Sequence, residues 1–233
     1  MGGRGQESFT RLPRFAAGLY ERLTKSEGIE RQQWEIALEI ASHVYRGRLL
    51  DVGCGPGGLL RELRRLCPDL ELHGLDISAA MVERARSNLA GLNVAVRVGE
   101  VRSSGYETEF FDAVTSTGSF YLWDEPVACL DEIFRILRPG GHAWLYESCS
   151  DCDREAVRRA VQANLRGEGL LRRILAPRFF HKQLGMTYSF AEMEQIAAHS
   201  RFAPTVSLSR IALAGVPAFV RMALRREADA AAV

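Results

Sequence analysis

Leu49-Leu50-Asp51-Val52-Gly53-Cys54-Gly55-Pro56-Gly57-Gly58 is the stretch on which the reading of the fold rests. Leu49–Val52 reads as an apolar strand interrupted by one carboxylate. Glycines follow at once, and Leu59–Leu66 then places leucines at helical spacing until Pro68 stops the helix. Gly53, Gly55 and Gly58 satisfy G-x-G-x-x-G between a strand and a helix, a spacing that by itself signals dinucleotide binding. Glycine there lets the chain turn sharply and lets backbone approach a ligand closely.

The same rhythm continues downstream. Leu70–Leu75 reads as a strand, Ala79–Leu89 as a helix, and Val94–Val98 and Phe111–Ser116 as strands. Val127–Leu137 reads as a helix ended by Pro139-Gly140-Gly141, and Ala143–Tyr146 as a fifth strand. Strands alternating with helices of this length predict a doubly wound α/β domain with a parallel sheet covered on both faces. Upstream, Phe9 to Tyr45 has helical periodicity. After the fifth strand, residues 151–189 carry eight Lys or Arg against four Asp or Glu, interleaved with apolar residues, and read as one or two amphipathic helices. Phe190–His199 is a further helix. Thr205–Ala212 and Phe219–Leu224 are two last strands joined at Gly215-Val216-Pro217, a turn short enough to require an antiparallel pair. The expected organisation is one domain: a helical cap over 1–47, a cofactor-binding core over 48–148, a helical insertion over 149–189 that reads as a second lid, and a helix with a strand hairpin over 190–233.

Composition excludes several classes. Of 233 residues, 47% are apolar and 25% charged, the averages of soluble globular chains rather than disordered ones. Thirty Lys and Arg against twenty-nine Asp and Glu give a net charge of +1, so no overall field favours nucleic acid. Five cysteines are too few for a disulfide scaffold and read as free thiols in a reducing compartment. The first residues lack the apolar core of a signal peptide, and Gln6 breaks the myristoylation pattern. Ile211–Val220 is too short to span a bilayer. The expectation is a cytoplasmic protein with no membrane partner.

Asp51 decides which nucleoside the loop suits. A pyrophosphate favours a helix N-terminus without a carboxylate beside it. A cation favours the opposite, since unlike charges about 4 Å apart near a surface gain roughly 4 kcal/mol before desolvation. S-adenosylmethionine carries an ammonium and a sulfonium, has no phosphate, and offers a ribose to Asp76 at the end of the second strand. The other reading of Asp51 is a local hydrogen bond to the loop backbone.

With these residues in place, the chain resembles the class I S-adenosylmethionine-dependent methyltransferases, of the small-molecule, type 11-like kind. Leu49–Gly57 is similar to the family's first motif. Gly74-Leu75-Asp76-Ile77-Ser78 with Met81 is similar to the second, and Gly99-Glu100-Val101 takes the place of the third, where the family usually has Gly-Asp-Ala. Phe111-Asp112-Ala113-Val114 and Leu137-Arg138-Pro139-Gly140-Gly141 match the later motifs. The resemblance implies a seven-stranded, mostly parallel Rossmann-like sheet with the last strand antiparallel. It implies S-adenosyl-L-methionine as cofactor and S-adenosyl-L-homocysteine as product. It places Asp51, Gly53, Cys54 and Gly55 around the methionine moiety, Asp76 on the ribose, Ile77 and Met81 against the adenine, and Glu100 and Val101 near its amino group. Thr117 and Gly118 lie beneath the sulfonium, and Tyr20, in a lid helix over Phe15–Glu21, covers the carboxylate end. For Ile77, Met81 and Val101 plain core packing is the other reading.

The acceptor side is less explicit. Ser116–Trp123, after the fourth strand, should face the methyl group. A subgroup of small-molecule methyltransferases carries a His-His pair there, where this chain has Tyr121 and Leu122. Tyr121 and His181 are therefore the weak catalytic candidates. The basic residues Arg158, Arg159, Arg172, Arg173, Arg178 and Lys182 suit steering of an acidic acceptor, or form a solvated helix face. Cys149-Ser150-Asp151-Cys152 has no second pair or His-x-x-x-His to complete a zinc site, and no metal is expected. It reads as a strand end and helix start, with a thiophilic metalloid site as the other possibility. The expected partner is a small-molecule methyl acceptor, and the reading leaves room for a homodimer. Two other functions stay open: a non-catalytic cofactor-binding or partner protein on the same fold, and a nicotinamide-dependent oxidoreductase.

Overall fold

The apolar runs that surround the glycine loop become one sheet. In a computed structural model, which describes residues 26–228, the strands are β1 (Gly47–Val52), β2 (Leu70–Asp76), β3 (Val94–Val98), β4 (Phe111–Thr117), β5 (Leu137–Ser148), β6 (Ser207–Leu213) and β7 (Val216–Arg225). They are ordered β3-β2-β1-β4-β5-β7-β6. β1 pairs in parallel with β2 and with β4, and β7 runs antiparallel to both β5 and β6. The sheet is the seven-stranded, mostly parallel one expected, with its last strand reversed. The predicted lid helix over Phe15–Glu21, with Tyr20, lies outside the described residues.

Helices cover both faces because the strands are apolar on both. On β1, Leu49 packs into one core and Leu50 into the other. The first core is closed by α1 (Glu27–His43), α2 (Gly58–Leu66), α3 (Ala79–Asn88) and α5 (Arg154–Asn164), through Ile36, Ile40, Leu60, Val82 and Val157. The second is closed by α4 (Pro126–Ile136) and α7 (Phe190–Ala198), through Leu130, Ile133, Met193 and Ala197. Side-chain caps set several helix starts: Ser26 accepts from the Ile29 N–H, Asp153 from Glu155 and Ala156, and Ser189 forms a capping box with Glu192. The segment 151–189 folds as two helices, α5 and α6 (Leu170–Leu184). No helix among the described residues is long and apolar enough to cross a membrane.

Two boundaries differ from the sequence reading. β5 begins at Leu137, not Ala143. Pro139-Gly140-Gly141 does not separate helix from strand but forms a bulge within it, where the β4 register jumps from Phe111–Leu137 to Ala113–His142. Arg226 holds this bulge: Gly140 N–H donates to its carbonyl at 2.9 Å and its own N–H donates to Gly141 at 3.0 Å. The last hairpin turns at Ala214-Gly215, not at 215–217. Both residues have positive φ, +48° and +75°, the form that matches strand twist in a two-residue turn. Glu35 accepts the Ala214 N–H at 2.6 Å and Asn164 donates to the Ala214 carbonyl at 2.9 Å, so α1 and α5 fix the turn.

Ile133 is fully buried between α4 and the sheet. Ile133→Ala is expected to lower unfolding free energy by about 2–5 kcal/mol in urea denaturation. A loss under about 1 kcal/mol would show that α4 does not seal this face.

Candidate functional site

The site forms where neighbouring strands of the sheet diverge to opposite sides, at the C-terminal ends of β1 and β4. Gly53 turns the chain off β1 with φ +70° and donates its N–H to the Leu75 carbonyl at 2.7 Å. A Cβ at this position would run into the Ser119 side chain, so the loop after β4 packs directly on the glycine turn. Ser119 Oγ lies 2.8 Å from Ser116 Oγ, donates to the Val52 carbonyl at 3.3 Å, and accepts from Trp123 Nε1 at 3.2 Å. One hydroxyl thus ties the acceptor-side loop to the end of β1.

Carboxylates end β1 and β2. Asp76 Oδ2 accepts the Gly55 N–H and Oδ1 accepts the Ser78 N–H, both at 2.8 Å. It therefore shapes the glycine loop and starts α3, while each oxygen keeps a further lone pair. Burial pushes its carboxyl up, against the pull of these two amides. Asp51 is different. It is 2% exposed, and its Oδ1 is buried without a hydrogen-bond partner. Burial first, and the Asp76 charge second, push its carboxyl well above the ordinary range. The alternative in which the loop backbone satisfies Asp51 is not met at Oδ1. Thr117 Oγ1 is the second buried polar atom here without a partner.

Two adjoining cavities open on these groups. One, of about 120 Å³, is lined by Leu75, Asp76, Ile77, Met81, Glu100, Val101, Leu122 and Trp123. The other, of about 330 Å³, is lined by Asp51, Cys54 and Ser148, by Gln33 of α1, by Asn164 of α5, by Phe180 and Gln183 of α6, and by Val216 and Phe219 of β7. Gly53, Gly55, Thr117 and Gly118 belong to both and form the neck between them. Every residue expected at the cofactor, other than Tyr20, thus lies on one of the two cavities. Glu100 also pairs with Arg102 at 3.6 Å, and Val101 opens the short 3-10 turn Val101–Ser103.

The catalytic candidates are not brought here. Tyr121 is 3% exposed and is absent from both linings. His181 is exposed, with its ring beside Arg154 at 3.3 Å, and faces neither cavity. Arg158, Arg159, Arg173, Arg178 and Lys182 are exposed and outside the linings. Cys149 Sγ donates to Asp151 Oδ1 at 2.7 Å, Arg210 pairs with Asp151 at 2.9 Å, and the thiol is pushed up to about 11, chiefly by burial. Among the described residues no group of His, Cys, Asp and Glu is arranged to hold a metal ion. Sequence reasoning missed Glu147, Ser148 and the wall from α1 and β7, while α6 lies in the insertion read as a lid. Glu147 had a readable signal: like Asp51 and Asp76, it is a carboxylate near the end of an otherwise apolar strand.

Residues 49–141 match a family described as a methyltransferase domain. The uncharacterized methyltransferase YdaC of Bacillus subtilis is 30% identical over 95 residues, 41% of this chain and 52% of that protein. The chain spans about half, or less, of the length of the curated relatives it matches first. Among solved structures, a protein of Methanococcus maripaludis assigned as an S-adenosyl-L-methionine-dependent methyltransferase superposes with a TM-score of 0.70 at 21% identity, over 96% of this chain and 97% of that one. The plantazolicin methyltransferase BamL, in complex with a triazolic desmethylPZN analog and S-adenosylhomocysteine, superposes with a TM-score of 0.67 at 14% identity, over 96% and 97%. At these identities the two superpositions establish a common fold.

The Asp51 carboxyl is harder to ionise in the folded chain than in the unfolded one. Its contribution therefore weakens folding as pH rises above the ordinary carboxylate range, and this loss disappears in acid. Asp51→Asn is expected to raise the melting temperature of the ligand-free protein at about pH 8, with the gain shrinking toward about pH 4, by circular dichroism. A lower melting temperature for the variant at pH 8 would mean that the carboxylate has a partner.

Proposed function

We propose that this chain, whose residues 49–141 match a methyltransferase-domain family, is a class I S-adenosylmethionine-dependent methyltransferase that transfers a methyl group from S-adenosylmethionine to a small, largely apolar acceptor. The observation that carries the proposal is the buried oxygen without a partner on Asp51, a residue on the wall of the larger cavity beside the glycine loop. An unpaired buried carboxylate is costly, and a ligand cation removes the cost. A nicotinamide dinucleotide would instead bring its pyrophosphate toward that charge.

When bound, S-adenosylmethionine supplies a methyl group already activated on a sulfonium. Asp51 would hold its ammonium, and Gly53 and Gly55 leave backbone rather than side chain against the methionine moiety. Asp76, with a free lone pair on each oxygen, accepts from ribose hydroxyls without releasing the glycine loop. Ile77, Met81 and Val101 supply apolar walls for the base, and Glu100 an acceptor for its amino group. Thr117 lines the neck where the sulfur would lie.

The larger cavity would take the acceptor. Its apolar wall comes from Leu59, Val161, Leu165, Phe180, Val216 and Phe219, with amides at Gln33, Asn164 and Gln183. Among the described residues the cation on it is Arg61, which already pairs with Glu62 at 3.3 Å. That lining favours a neutral acceptor over the acidic one suggested by the basic helix faces. Holding the acceptor in line accounts for roughly 7–11 kcal/mol of barrier in well-oriented reactions. No histidine lines either cavity among the described residues, which suits an acceptor that needs no strong base.

Isothermal titration with S-adenosylmethionine and S-adenosylhomocysteine tests this reading. Both are expected to bind, and Asp51→Asn and Asp76→Ala are each expected to weaken binding by roughly 1.5–3 kcal/mol, the worth of a charge-assisted hydrogen bond. Absence of heat with both ligands, or tighter binding of NADH, would overturn it.

A further inference from the structure

Glu147, near the end of β5, is 2% exposed and meets amides rather than a counter-charge. Its Oε2 accepts the Tyr121 N–H at 3.3 Å and its Oε1 accepts the Ser148 N–H at 2.7 Å. The Phe120 N–H also stabilises its carboxylate. Phe120–Leu122 is a 3-10 turn, closed by Leu122 N–H to Ser119 and Trp123 N–H to Phe120. Leu122 and Trp123 stand on the wall of the smaller cavity, while Glu147 itself lines neither.

We propose that Glu147 is a positioning residue, whose carboxylate clamps the Phe120–Leu122 turn and so holds Leu122 and Trp123 against the bound nucleoside. The inference rests on the reading of that cavity as the nucleoside site. An ionised carboxylate only accepts, so it serves the Phe120, Tyr121 and Ser148 amides together. A protonated one carries a donor on one oxygen and is a weaker acceptor, so it holds the turn less tightly.

Burial pushes this carboxyl up to about 7 in spite of the amides. The groups around it come from several elements. On its own strand face stands Cys149, whose thiol is pushed up to about 11. The turn brings the Tyr121 phenol, Tyr188 packs against Phe120 with ring centroids 5.6 Å apart, and β7 places Val220 opposite. Asp124, beyond the turn, lies on the cavity wall. Folding and binding then pull in opposite directions. The folded chain favours the protonated acid, so ionisation weakens folding as pH rises from the ordinary carboxylate range through about 7, while the same ionisation completes the clamp.

Glu147→Gln separates the two effects. S-adenosylhomocysteine affinity is measured by titration calorimetry for wild type and variant between about pH 5.5 and 8.5, alongside melting temperatures without ligand. The wild-type to variant affinity ratio is expected near one at the acid end and about tenfold at the alkaline end, with its midpoint near 7. Asp51 and Asp76 are present in both proteins and cancel in the ratio. At the alkaline end the variant is expected to melt no lower than wild type, which a residue that merely supports the fold would not allow. A flat ratio with binding intact overturns the clamp alone. Absence of binding by both proteins overturns the nucleoside reading and the clamp with it. Should the variant not fold, hydrogen exchange of the wild-type Tyr121 amide serves: protection is expected to fall about tenfold from pH 8 to 6 beyond the intrinsic change, and unchanged protection overturns the proposal.

Discussion

A carboxylate buried without a partner is the constraint around which this structure is arranged. Asp51 sits inside the first strand of a sheet that is apolar on both faces, where a charge has neither water nor a donor at Oδ1. Every feature around it tends to keep it that way. Gly53 takes the chain away from the strand end, Ser119 packs on that turn, and Asp76 is engaged by the Gly55 and Ser78 amides. The result is a buried acidic group on the wall of the larger cavity, which on the proposed reading a ligand cation would complete.

The same logic recurs along the C-terminal edge of the sheet. Asp51 on β1, Asp76 on β2 and Glu147 on β5 are all buried, and burial raises all three carboxyls. Each weakens the fold at neutral pH, and each occupies the edge where ligands bind in doubly wound sheets. They differ in what satisfies them. Backbone amides answer Asp76 and Glu147 from within the chain, so these two set the shape of the loops. Asp51 keeps one buried oxygen without a partner, which the proposed function assigns to the ligand. Placing marginally stable charges at the site rather than in the cores agrees with the general exchange of stability for activity.

The sequence made the strand-loop-helix at 49–66 legible because its signals are local: an apolar strand, glycines at the turn, leucines at helical spacing. Asp51 and Asp76 could be placed for the same reason, since Asp51 precedes the glycine loop and Asp76 ends the next strand. Where contacts come from far along the chain, legibility fails. Pro139-Gly140-Gly141 looks like a helix stop, and only the backbone of Arg226 makes it a bulge inside β5. The turn at Ala214-Gly215 is pinned by Glu35 and Asn164, neither predictable from the hairpin itself. Tyr121 was expected to face the acceptor, but the Glu147 clamp sets the turn that carries it, and its ring is buried. His181 stands on the outer face of α6, because that helix contributes Phe180 and Gln183 to the cavity instead.

The central claim is that Asp51 answers a ligand ammonium, and a cycle that removes each partner in turn tests it most directly. S-adenosylhomocysteine and its analogue lacking the amino group are titrated into wild type and Asp51→Asn. The account predicts that wild type loses roughly 1.5–3 kcal/mol on going to the deaminated ligand and that the variant loses little, leaving a coupling of about that size. Equal losses in both proteins would place the ammonium elsewhere and contradict the account.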